Sequence, residues 1–377
     1  MNKITSLNGH RKNGAKSTPA LITGGAGFIG TNLADRLLSN GIPVIVLDNL
    51  SREGVEQNLE WLVKKHPGKV DVRVADIRDE NEVRRAVANA SRVYHFAAQV
   101  AVTTSLDDPF SDFEVNARGT LNLLEAVRER GENAPPLIFT STNKVYGALE
   151  DVRLKNDGSR YLPESDEYAA HGISEARSVE FHSPYGCSKG AAEQYVLDYA
   201  RTFGLKTAVF RMSCIYGEHQ FGTEDQGWVA HFLIRAMNGE PITLYGDGMQ
   251  VRDILFAEDL VNALLLAHDN IDTVKGEAFN IGGGPGNTVS LLELLEVIAG
   301  LRGEDCDVEF DDWRTADQRY YVSDTRRFSA ATGWKQTVTV KQGVTRLFSW
   351  LQAQSRRTRF VASPVGRGEG ISQAVNG

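Results

Sequence analysis

Ala20-Leu21-Ile22-Thr23-Gly24-Gly25-Ala26-Gly27-Phe28-Ile29-Gly30 decides the fold of this chain. The four residues before the glycines read as a short buried strand, and Thr31 to Leu38 after them as a helix. Val44-Ile45-Val46-Leu47 is a second strand, closed by Asp48. Strand, glycine turn, helix, strand and acid in this order predict a dinucleotide site. The glycines permit a tight turn and let backbone N–H groups approach a pyrophosphate, which the helix N-terminus then faces. Gly24, Gly27, Phe28, Ile29 and Gly30 are the expected loop contacts. Asp48 follows Gly30 by 18 residues, where a carboxylate can accept both ribose hydroxyls. It would repel a 2′-phosphate, so NAD is favoured over NADP, with the cation of Arg52 nearby as the opposing feature. Asn49 and Ser51 flank the same corner.

The pattern continues outward. Val72 to Ala75 leads into Asp76-Ile77, an expected adenine-side contact. Val93-Tyr94-His95-Phe96 is another strand, followed by Ala97-Ala98-Gln99. Asn116 stands before an amphipathic helix over 119–130. Leu137 to Thr140 and Thr207 to Phe210 add two more strands. Strands alternating with helices predict an α/β fold, a Rossmann-type, doubly wound parallel sheet. Phe96, Ala97, Ala98, Gln99, Asn116 and Thr140 fall at the ends of its elements and join the expected cofactor contacts.

Composition sets bounds. A chain of 377 residues can bury a full core and divide into two lobes. A net charge of −8 argues against a nucleic-acid binder but not against a phosphate ligand, which needs only local cations. Cys187, Cys214 and Cys306 are too few and scattered for a disulfide framework or a zinc site, and a reducing, cytoplasmic location is expected. No His/Asp/Glu cluster has metal-ligand spacing. Residues 1–18 hold no apolar run, so a secretory signal is not expected, and no stretch of the sequence approaches the roughly 20 apolar residues of a membrane helix. Residues 1–18 and residues 353–377 read as flexible tails.

Ser183-Pro184 marks a helix start, placing Tyr185 and Lys189 four residues apart on one face. A free phenol is a poor base at neutral pH. An ammonium beside it favours the phenolate, as would the positive ring of an oxidised nicotinamide. Thr142, at the end of a strand, could hydrogen-bond the same substrate hydroxyl. Tyr185 would take that proton while hydride leaves the carbon.

With these residues in view, the chain resembles the extended short-chain dehydrogenases/reductases, in their nucleotide-sugar epimerase/dehydratase group. The resemblance spans about residues 19–352. It rests on the glycine run, Asp48-Asn49-Leu50, Asp76-Ile77, Ser141-Thr142, Tyr185 to Lys189 and Arg252-Asp253. In that group the glycine loop binds NAD, and a Thr–Tyr–Lys set performs redox chemistry on a sugar hydroxyl. Gln99 to Ser105, Ser141 to Gly147, Gln220-Phe221, Asp225 to Val229 and Asp317-Gln318-Arg319 are similar to the branch that inverts CDP-hexoses at C2. The group's 4,6-dehydratases carry an Asp–Glu pair directly after the Thr. Asn143 and Lys144 stand here instead, which argues against dehydration.

The resemblance implies an NAD-binding domain over 19–211; within it the segment at about 149–182 is polar and reads as an insertion that covers the active site, its detailed role open. It also implies a smaller mixed α/β substrate lobe over 212–352, interleaved with the sheet. Arg252 and Arg314 are expected to hold phosphates bidentately. Gln318 is expected at the base, and Gln99, Val100, Thr142, Asn143 and Gln226 at the sugar. Asp253, Asp259, His95, His231 and Cys214 read as structural. The implied enzyme is a nucleotide-sugar epimerase using tightly bound NAD, acting on a CDP-hexose at C2. The alternative is a UDP-hexose 4-epimerase. A non-catalytic NAD-binding regulator would be expected to lose Tyr185 or Lys189, and both stand. The helices over 119–130 and 190–203 would form the seam of a homodimer or homotetramer.

Overall fold

The computed structural model describes residues 18–361 except 315 and 316. Seven parallel strands form the central sheet in the order Ala278–Ile281, Thr207–Met212, Leu137–Thr142, Arg92–His95, Ala20–Thr23, Val44–Asp48 and Val70–Val74. The chain winds one way from Ala20–Thr23 and then the other. The topological switch therefore falls between Ala20–Thr23 and Arg92–His95, where such sheets place ligands.

Apolar clusters cover both faces of the sheet. Ile22, Val46 and Ile138 pack with Leu33 and Leu37 on one side, whereas Leu21, Val93 and Phe139 pack with Leu124 and Val196 on the other. Full burial of one such Leu, Ile or Phe contributes about 1.5–3 kcal/mol. The glycine loop joins sheet to helix at close quarters. Gly24 has φ +67°, and a Cβ there would stand 2.7 Å from Ala97 N.

The second lobe is mixed. Val251–Phe256 pairs antiparallel with Thr288–Ser290 and parallel with Tyr320–Tyr321 and Cys214–Tyr216, while Ile242–Tyr245 pairs with Val308–Asp311. Asp253 accepts from the Ser213 hydroxyl and from Gly284 N, and Asp259 accepts from Thr337 and Val338. Both are interior braces. The lobe is woven into the sheet, because Ala278–Ile281 returns to pair with Thr207–Met212.

Two expectations change. The insertion forms a hairpin, Leu154–Asn156 with Tyr161–Pro163, and a short helix, Asp166–His171. It packs on residues that follow the sheet strand Leu137–Thr142 as well as on the second lobe, and none of its residues lines the cavity described below. Leu149, Val152 and Ile173 are buried against Val145, Tyr146 and Tyr321, and Tyr161 N donates to Met249 O at 3.0 Å. Apolar residues spaced through a polar segment give it this docking face. The last helix runs Val340–Val361, so residues 353–361 are helical and not a tail. The rest of that tail, and residues 1–17 of the other, lie outside the described residues.

Candidate active site

One cavity of about 660 Å³ opens at the switch point and continues into the second lobe. Phe28, Ile29, Phe96, Ala98 and Thr140 line its sheet end. Val100, Thr142, Asn143, Tyr185 and Lys189 follow, and Gln226, Arg252 and Arg314 come from the second lobe. Residues far apart in sequence thus meet at one surface.

The helix Ser183–Phe203 carries Tyr185 and Lys189, with Pro184 in its first turn. Ser183 sits at φ +67°, a strained value for a residue with a side chain, immediately before the reactive turn. Burial pushes the Tyr185 hydroxyl up to about 12, a hydrogen bond with Thr142 pulls it back, and Asp112 pushes it up further. Burial brings Lys189 down to about 7, opposed by Asp112 and Glu193. The Lys189 ammonium donates to Thr140 O at 2.7 Å and lies 4.2 Å from the centre of the Phe139 ring. The expected lowering of Tyr185 by Lys189 is therefore not met by these residues alone. The ammonium is held by a carbonyl and a ring, and desolvation governs both groups.

Asp112 was not anticipated. It is fully buried and accepts from Asn116 Nδ2 at 3.1 Å and from the Ser188 hydroxyl, beneath the catalytic turn. Its only sequence signal is an acid four residues before Asn116, which cannot be told from a surface acid.

Three residues expected to touch a ligand have their amides engaged within the protein. Asn116 spends its amide on Gln99, Asp112 and Ser188, and does not line the cavity. Gln99 folds back so that both ends of its amide engage Ala101. Gln318 is fully buried, accepting from Asn143 at 3.0 Å and donating to Gly147 O at 2.6 Å. Each is a strut, since a satisfied buried amide has little left to offer a ligand. Arg314 stacks 3.8 Å over Tyr245 and pairs with Glu224 and Asp225, while Arg252 pairs with Asp317 at 2.8 Å. Met212, Ser213, Cys214, Gln220, Trp228, Gln250 and Trp313 also line the cavity. His95 is buried between Thr23 and Thr120, and burial takes its imidazole down to about 3.

The glycine loop fits a dinucleotide. The helix Phe28–Ser39 begins at Gly27 with no side-chain cap and no acid in its first turn, leaving N–H groups for an anion. A Cβ on Gly27 would meet only Gly24 O, at 3.2 Å. Asp48 accepts from Ala26 N at 3.0 Å and Leu50 N at 2.9 Å, which fixes its carboxylate against the loop. Asn49 donates to Asp76 at 3.0 Å, and Arg78 brings Asp76 down to about 2. Ile77 is buried against Gly119, while Ser51 and Arg52 are exposed. Among the described residues no cluster could hold a metal ion, and no helix is long and apolar enough to cross a membrane.

Comparison with known proteins agrees with this architecture. The model of the NAD dependent epimerase/dehydratase family matches residues 20–282. The chain is 46% identical over 337 residues to the CDP-paratose 2-epimerase of Salmonella typhi, covering 88% of this chain and 98% of that one. A UDP-glucose 4-epimerase from Thermotoga maritima, solved with UDP-glucose, superposes with a TM-score of 0.77 at 30% identity, covering 89% of this chain and 99% of that one. The Thermus thermophilus UDP-glucose 4-epimerase in complex with NAD gives 0.73 at 32% identity, with the same coverage. The chain belongs to the NAD dependent epimerase/dehydratase family.

Proposed function

We propose that this protein inverts C2 of a CDP-hexose, of the CDP-paratose/CDP-tyvelose type, through a transient 2-keto sugar. The observation that carries the reading is the single cavity joining Thr142, Tyr185 and Lys189 to Arg252. The preference for CDP and C2 draws on the relative named CDP-paratose 2-epimerase. Gly24, Gly27, Phe28, Ile29 and Gly30, with Asp48 beside them, would hold NAD, assisted by Phe96, Ala98 and Thr140. The chemistry bound NAD supplies is reversible hydride acceptance.

Tyr185 would take the proton from the C2 oxygen as hydride leaves C2, and return a proton to that same oxygen when hydride is delivered to the other face of the ketone. Thr142 hydrogen-bonds the same oxygen. Lys189 orients the phenol from behind and lends positive charge. Its partners Thr140 and Phe139 keep it from swinging toward solvent. Arg252 and Arg314 would pair with the diphosphate once it displaces their carboxylates. A second reading, inversion of a UDP-hexose at C4, is favoured by the structural neighbours of that name.

Turnover of a CDP-hexose in deuterated water is expected to place no deuterium at C2. Solvent deuterium there would replace hydride shuttling with deprotonation. Tyr185→Phe should lower turnover by about 10²–10⁴ while NAD stays bound, the usual size of a lost acid–base group.

The finer assembly is also a proposal. The helices Gly119–Arg128 and Ser183–Phe203 lie side by side, and the latter exposes Tyr195 and Phe203, with Phe110 and Phe113 exposed nearby in sequence to the former. A second copy of this chain would cover them. Three free cysteines accord with a reducing compartment, the cytoplasm.

A further inference from the structure

Lys144 lies two residues beyond Thr142, and its backbone N–H donates to the Thr142 hydroxyl at 3.2 Å. Its side chain reaches along the cavity to Asp317, 3.5 Å from the carboxylate oxygen that also takes Arg252 at 2.8 Å. All three side chains line the cavity that holds Tyr185. Two cations, Lys144 and Arg252, share this one carboxylate. The acids Glu224 and Asp225 are engaged elsewhere, by Arg314. Lys144 therefore links the reacting end of the cavity to its phosphate-binding end.

The chemistry of the substrate gives that link a purpose. A nucleoside-diphosphate hexose carries its β-phosphate on C1. C2 is bonded to C1, whereas C4 lies across the ring. Bringing C2 to Tyr185 draws the β-phosphate toward Thr142, and bringing C4 there sends it away. An ammonium tethered two residues beyond Thr142 and anchored on Asp317 favours the first arrangement. We propose that Lys144 is a specificity-determining residue that takes the β-phosphate and so presents C2 to Tyr185, with Asp317 as the positioning residue that holds the ammonium between turnovers. This rests on the nucleotide-sugar reading above. A lysine suits the role, because its rotatable donors can follow a phosphate while the sugar turns, which a rigid guanidinium fork does not. Burial pushes Lys144 down and Asp317 pulls it back up, so an arriving phosphate would strengthen the charge it binds.

The test is a calorimetric affinity ladder on the full NAD-bound chain: CMP, CDP and CDP-glucose, then UMP, UDP and UDP-glucose. Lys144→Met should weaken CDP binding about 10- to 100-fold, the scale of one charged hydrogen bond. CMP, which lacks the β-phosphate, should stay within about twofold of wild type. Lys144→Arg should restore most of the loss, since charge is what is read. Equal losses for CMP and CDP, or unchanged CDP affinity, would overturn the inference. A wild-type chain preferring uridine nucleotides would fell the cytidine reading alone, and Lys144 would then be judged on the step from UMP to UDP. Wild-type chain that binds neither series would overturn both.

Discussion

Burial moves three site-side groups away from their ordinary behaviour, and each sets a pH response. His95 is held neutral, with its pKa down at about 3 against an ordinary 6.5. The unfolded chain therefore takes up this proton first on acidification, and stability is lost as pH falls from about 6.5 toward 3. His95→Gln should flatten that loss, read as the urea midpoint at pH 7 and pH 4.5. Lys189 has the same sign over a higher window. Its pKa is about 7 when folded against an ordinary 10.5, so stability rises with pH between them, and the buried ammonium is a cost at and below neutrality. Tyr185 at about 12 keeps its proton throughout, so the chain alone does not supply a base, and positive charge from a bound cofactor must help. The identity of Tyr185 was legible in sequence because a four-residue spacing is local. The fate of Gln318 was not, because its partner Asn143 is 175 residues away.

Among the elements, the glycine loop separates roles that a motif merges. A Cβ on Gly30 would fall 2.6 Å from Gly25 Cα, in backbone that cannot move aside. Gly30→Ala should destabilise the fold by about 1–3 kcal/mol, as overpacking does. Gly27→Ala meets only one carbonyl at 3.2 Å and should melt within a few degrees of wild type while binding NAD more weakly. Thermal unfolding alongside NAD titration distinguishes the two, and the reverse pattern would exchange their roles. The strand–turn–helix unit was readable because each of its parts is contiguous. The insertion was misread because polar composition was taken for an active-site cover. Its Leu149, Val152 and Ile173 instead bind it to Val145, Tyr146 and Tyr321, a partnership split across distant segments.

On the scale of the whole molecule, the proposed pairing of chains predicts that Tyr195→Glu combined with Phe203→Glu lowers the assembly to a monomer by light scattering, with NAD still bound. An unchanged mass would place the contact elsewhere. The parallel sheet was legible from its alternating strands, but the edge strand Ala278–Ile281 reads in sequence as part of the second lobe, because it pairs with Thr207–Met212 only after most of that lobe has intervened. That order has a consequence during synthesis. When Thr207–Met212 leaves the ribosome, its outer edge is bare, with apolar Ala208, Val209 and Phe210 along it. The covering strand follows roughly 65 residues later, a delay of several seconds at ordinary translation rates. Through that interval the nascent chain offers an unpaired edge of the kind that seeds aggregation. Slow elongation over residues 213–277 would lengthen the exposure, so yield of this protein in a heterologous host should respond to codon choice and chaperone supply in that stretch more than in the first half of the chain.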